Sequence, residues 1–73
     1  MNISTNSLMM ALKALNTKAI GIAAELETAQ EPELSHLEEE LHHYSKALSE
    51  LRDEYISIQR RSDNLPPFEE LIE

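Results

Sequence analysis

The sequence predicts an all-α fold: an antiparallel helical hairpin, in effect a two-helix coiled coil, pairing into a four-helix bundle. Three observations predict it. Apolar residues of the first half fall at Leu8, Leu12, Leu15, Ala19, Ile22, Leu26 and Ala29, in alternating steps of 4 and 3. Those of the second half fall at Leu34, Leu37, Leu41, Tyr44, Leu48, Leu51, Tyr55 and Ile58, in steps of 3 and 4. Both are a/d seams of period 3.5, the repeat of helices packed knobs-into-holes, whereas a strand would need period 2. A single short break, QEPE, separates them, and a connection that short allows only an antiparallel pair.

Helix 1 is expected over about residues 5–30. The run Ser4, Thr5, Asn6, Ser7 marks its start, since each of these side chains can accept a bond from the free amides there. Helix 2 is expected over about 32–62, with Pro32 suited to its first turn. Ser35 and Glu38 form an S-x-x-E capping box, so the helix could also begin a turn later. Glu33, Glu38 and Glu39 near its start and Arg60 and Arg61 near its end follow the order that a helix dipole favours. SDNLPP stops it. Residues 1–62 thus form the hairpin, and 63–73 a Pro-containing acidic tail.

Folding the chain so that Ala29 meets Leu34 sets Leu26 against Leu37, Ile22 against Leu41, Ala19 against Tyr44 and Leu15 against Leu48. Leu12 then meets Leu51, and Leu8 meets Tyr55. Every pair joins an a position to a d position, and the smallest residue of the middle layers faces a bulky one, as a filled core needs.

Composition narrows the function. Seventy-three residues make a thin core, and such small domains gain from a staple or a partner. Cysteine is absent, so neither a disulfide nor a thiolate metal site is available. The net charge is −8 and unevenly placed: residues 1–24 carry only Lys13 and Lys18, and all 14 acids follow. That surface repels phosphate backbones, so no nucleic-acid partner is expected. No apolar run is long enough to span a membrane, and the start lacks a basic leader; a cytoplasmic location is expected.

The stretch HLEEELHH at 36–43 raises a metal site. On the helix 2 register His36 and His43 take c positions, His42 a b position and Glu39 an f position, all away from the seam. Di-iron bundles use Glu-x-x-His facing inward, and helix 1 offers no matching ligand. No metal and no cofactor are expected. Ser45 and Ser49 near His42 lack an oxyanion hole, and Gly21, the only glycine, makes no phosphate loop, so no enzyme is expected.

Behind the helix 1 seam runs a second stripe: Met10, Ala14, Thr17, Gly21, Ala24 and Thr28, with Met9, Ile20 and Ala23 beside it and no charge within it. Gly21 in a helix interior costs about 1 kcal/mol against Ala, which helix propensity does not explain. Met9, Met10, Ala14, Thr17, Ile20, Gly21 and Ala24 are therefore read as a partner or dimer surface, serving a homodimer, a client helix, or both. In the tail, Phe68, Leu71 and Ile72 share one face of a turn too short to hold itself. They either fold back over the open end near Ile58 and Ile3 or form a docking motif.

The expected function is a small acidic helical interaction module: an adaptor, regulator or secretion-type chaperone. In architecture the hairpin is similar to the helical-hairpin chaperones of bacterial secretion systems and to small bundle-forming regulators, an analogy of fold alone. Two alternatives stand beside it. One is an acidic inhibitor that occupies a basic site on a toxin or nucleic-acid-binding protein, as antitoxins and phage-encoded inhibitors do. The other is a purely structural homo-oligomer.

Overall fold

The computed structural model describes residues 3–61 and 65–71. Its elements are α1 (Thr5–Leu26), α2 (Glu33–Arg60) and a single turn, α3 (Phe68–Leu71). No strand occurs among the described residues. α1 and α2 pack against each other as a helical hairpin.

α1 starts where its sequence signals put it. Ser4 is extended, and its Oγ accepts the Ser7 amide at 3.1 Å, which satisfies one of the free donors of the first turn. The helix ends at Leu26, four residues before the expected end. Its last turn carries Glu25 and no base, the wrong sign for the negative end of the helix dipole. The amides of Glu27 and Thr28 turn back to the carbonyls of Ala24 and Glu25 at 3.3 and 3.2 Å, the tighter pattern that closes a helix.

α2 begins at Glu33, with Pro32 as the residue before its first turn. The Ser35–Glu38 capping box is not what caps it. Instead Glu31 reaches forward: the Ser35 amide donates to its carboxylate at 2.8 Å and the Ser35 hydroxyl donates at 2.7 Å. The hydroxyl and then the amide of Ser35 hold the Glu31 carboxyl below the usual carboxylate range. At the far end, where the sequence suggested residue 62, α2 stops at Arg60. The Arg61 amide donates to the Ile58 carbonyl at 3.0 Å and its Nε to the Ser57 carbonyl at 3.3 Å, occupying carbonyls that the helix end leaves open. Residue 62 lies outside the described residues.

All fifteen seam positions are buried or half-buried, as a shared interface requires. They are not equally buried. Leu8, Leu12 and Tyr55 are fully enclosed and Ile22 almost so, whereas Leu15, Ala19, Leu41, Tyr44 and Leu48 are half-buried. Two helices alone leave the flanks of a seam wet. The tail makes the difference at the open end. Phe68 and Leu71 are buried in one cluster with Leu8, Leu12 and Tyr55, and Met9, Leu51, Ile58 and Leu65 pack around it.

Tyr55 is the centre of this cluster. Its hydroxyl donates to the Pro66 carbonyl at 2.6 Å. Its ring lies 6.5 Å from that of Phe68, tilted by 57°. The Arg52 guanidinium sits 5.5 Å from the Phe68 ring centre, where a cation meets the negative face of the ring. Burial, with the nearby Glu70 carboxylate adding to it, raises the Tyr55 phenol above its ordinary value.

The result is a rod of 46 × 23 × 15 Å with a radius of gyration of 14.3 Å. A compact chain of this length would have about 11 Å. The accessible surface is 5319 Å², against about 4600 Å² for a typical folded monomer of this mass.

Leu12→Ala is expected to cost about 2–5 kcal/mol, as truncation of an enclosed leucine does, and Leu15→Ala clearly less. Glu39→Ala should stay within about 0.5 kcal/mol. Urea unfolding measures all three, and equal losses at Leu12 and Leu15 would show an evenly loaded seam. Tyr55→Phe removes a buried hydrogen bond and should cost about 1 kcal/mol at pH 7. The folded phenol titrates above the unfolded value of about 10, so the stability it contributes is complete below that pH and is lost as pH rises toward the folded value. Above pH 10 the wild type should therefore lose stability relative to Tyr55→Phe, and a constant gap between the two would disprove the burial argument.

Candidate interaction surface

Three features of the sequence invited a functional reading, and the structure separates them. The first is the His/Glu stretch. His36, Glu38, Glu39, Glu40, His42 and His43 are all exposed. His36, Glu39, His42 and His43 take outward positions on α2, and Glu38 and Glu40 flank the seam. Glu39 and His43 approach at 3.8 Å across one helical turn, in full contact with water. The rings of His42 and His43 meet edge-on at 5.8 Å. Among the described residues no group of three such side chains is arranged to hold a metal ion. An exposed pair of this kind contributes little to stability.

The second feature is the tail. Phe68 and Leu71 are committed to the core of the hairpin itself, so in this structure they are not presented for docking. The tail takes the fold-back course, with Ile58 beneath it as expected. Ile3 is not covered: it remains 46% exposed. Ile72 lies outside the described residues.

The third feature is the outer face of α1. With the seam at a and d, the residues Met10, Ala14, Thr17, Gly21 and Ala24 alternate between f and c, nearly opposite α2, and Thr28 follows in the turn after α1. Each of them is exposed. Met10 is 64% exposed and Ile20, on the edge of the stripe, 62%. Apart from Ile3 they are the only large exposed hydrophobic residues among those described. Ala23 is exposed as well.

Met9 requires a correction. The sequence places it on this surface, but it is half-buried against the open-end cluster. It packs against the cluster that Leu8, Leu12 and Tyr55 form with Phe68 and Leu71.

Gly21 is the informative residue of the face. Its backbone is ordinary helix, with no positive φ. A Cβ built on it would meet nothing within 4 Å. Neither the backbone conformation nor any contact within the chain demands a glycine here, although glycine weakens a helix interior. What the face lacks is a side chain at its middle, which is the condition for another backbone to come close.

The sequence reading considered only the uncharged stripe and missed the charges that frame it. Lys13 and Glu27 lie on the same edge as Ile20, at intervals of seven residues, and both are exposed. Neither makes an ion pair among the described residues. The heptad interval was the signal available for finding them. Near the turn, an open depression lined by Glu25, Thr28, Ala29, Gln30, Glu33 and Leu37 adjoins the end of the stripe. In comparisons with protein-family models, with curated proteins and with solved structures, the chain matches none.

The core and the outer face should respond oppositely to polar or small replacements. Phe68→Ala is expected to cost about 3 kcal/mol, as truncation of a buried aromatic does. Ile20→Ser should change the unfolding free energy of the hairpin by less than about 0.5 kcal/mol at low protein concentration. A loss at Ile20→Ser comparable to that at Phe68→Ala would show that the outer face is covered within the chain.

Proposed function

We propose that the protein is a small acidic helical interaction module that presents the outer face of α1 to another helix, in the manner of an adaptor, regulator or helical chaperone. The observation that carries this reading is Gly21: a glycine in mid-helix, with open space where its Cβ would stand, between the exposed Met10 and Ile20 on one side and Ala24 on the other. Small residues on a helix surface let a second helix approach closely and gain contact along its whole length. The elongated shape adds a reason for a partner. A single seam in a rod leaves a high ratio of surface to core, and covering an uncharged face adds apolar burial without desolvating a charge.

The acidic exterior of α2 favours a second reading. Glu33, Glu38, Glu39, Glu40, Glu50 and Asp53 are all exposed, and such a surface attracts a basic partner. In that reading the chain is a charge-based inhibitor of a basic site. Salt distinguishes the two, since screening releases a partner held by exposed charges and leaves one held by apolar contact.

The reading through α1 predicts opposite signs for one substitution. Gly21→Ala should stabilise the isolated hairpin by about 0.5–1 kcal/mol, from helix propensity alone. The same methyl should weaken whatever packs on the face. Urea unfolding extrapolated to low protein concentration measures the first effect. A destabilised hairpin would mean that Gly21 serves the fold of the chain itself, and the reading would lose the observation it rests on.

A further inference from the structure

We infer that the helix received by the outer face of α1 is α1 of a second copy of this chain, laid antiparallel about a two-fold axis beside Ile20, so that Lys13 of each copy faces Glu27 of the other. The inference rests on the reading that this face binds a helix, and it names the occupant. Three observations lead to it.

The first is the order of residues along the edge. Lys13, Ile20 and Glu27 stand seven apart, and Glu27, the residue that caps α1, keeps helical backbone angles, so the three form one line beside the stripe. The line reads positive, apolar, negative. Reversed against itself it is complementary: Lys13 meets Glu27, Ile20 meets Ile20, and Glu27 meets Lys13. Flanking charges of this kind set orientation in paired helices. A parallel pair would set lysine against lysine and glutamate against glutamate.

The second is the stripe itself in that register. Met10 falls opposite Thr28, Ala14 opposite Ala24, and Thr17 opposite Gly21. The bulkiest member is kept to the two ends, and the branched Thr17 meets the residue with no side chain. The centre of these pairs coincides, within one residue, with the centre of the charged edge. On the opposite edge the two Lys18 side chains approach each other, and their long stems can turn outward to water.

The third is the charge of the whole chain. At −8, two copies repel each other. The segment 1–24 is the one region without an acid, and its only charges are Lys13 and Lys18. Pairing through α1 keeps both acidic α2 exteriors on the outside. Because the stripe lies nearly opposite the seam, the four long helices then stand in a row, α2–α1–α1–α2, and not in a closed square.

The chain has no cysteine, so single cysteines report the geometry directly. Ile20→Cys should form an intermolecular disulfide readily under mild oxidation. Lys13→Cys alone should not, but mixed with Glu27→Cys it should. In sedimentation equilibrium Lys13→Glu should weaken the dimer about tenfold, since two attractive pairs become repulsive, and adding Glu27→Lys in the same chain should restore it. All these positions are exposed, and circular dichroism checks that the helices persist. Cross-linking of Lys13→Cys to itself as fast as Ile20→Cys would mean a parallel pair and overturn the inference. A wild type that remains an 8.3 kDa monomer at millimolar concentration would overturn it too. In that case a Gly21→Ala hairpin of raised stability still supports a different helix as partner, so the two failures are distinguishable.

Discussion

The fold depends on one buried contact more than on any other: the Tyr55 side chain under the returning tail. A two-helix seam encloses few of its own residues, because each helix covers only one side of the other. Ile22 is one such residue; at the open end Leu8, Leu12 and Tyr55 are enclosed where a third element arrives. Tyr55 fixes that element in two ways, through its ring against Phe68 and through its hydroxyl to the Pro66 carbonyl. The hydrogen bond is what makes a tyrosine acceptable at a fully enclosed site, since the same hydroxyl without an acceptor would carry a desolvation cost of about 1–3 kcal/mol. The proline carbonyl is well suited to it, because Pro66 lies outside any helix and its oxygen is not taken by helix bonding.

From this contact follows a division of labour along the rod. The open end is sealed by the chain itself: its apolar residues face Tyr55, Leu8 and Leu12, and even Met9 is drawn in. The outer side of α1 receives no such cover. The same residue types thus have different fates according to whether the tail reaches them. Met9 and Met10 are adjacent in sequence, yet one is packed and the other is among the most exposed apolar residues of the molecule. The proposal of a partner applies to what remains after the tail has taken its share. The exposed acids Glu39, Glu50 and Asp53 lie on the outer side of α2, away from the apolar face of α1.

The seams were legible in the sequence because a/d spacing reports which side of a helix meets one neighbour, and that is the whole of the α1–α2 relation. The start of α1 was legible because Ser4 acts through its own backbone neighbourhood. The end of α1 was not. Ala29 continues the apolar period past the observed end at Leu26, because periodicity reports which side of the chain is covered and not where the backbone bonds stop. The start of α2 was legible in Pro32, but not the role of Ser35, which suits an S-x-x-E box yet is reached by the carboxylate of Glu31 from the other side. The grading of the layers could not be read at all, since Leu12 and Leu15 occupy equivalent seam positions. Only the docking of Phe68 and Leu71 tells them apart, and that is a tertiary event with two apolar residues as its sole trace. Of the candidate surface, the stripe was visible as a second period. Its exposure follows from the same period, since Met10 and Ile20 stand off the seam.

The open-end cluster also has a kinetic side. It joins Leu8 to Leu71, while the layers beside the turn join residues only a few positions apart. Closing a long loop costs entropy before any contact repays it, so hairpin zippering from the turn is the accessible route and the tail locks last. Contacts that form after the rate-limiting step leave the folding rate unchanged and slow the reverse reaction. The tail therefore governs how long a folded molecule survives and not how quickly it forms. The docking of Phe68 and Leu71 sets the lifetime of the folded hairpin.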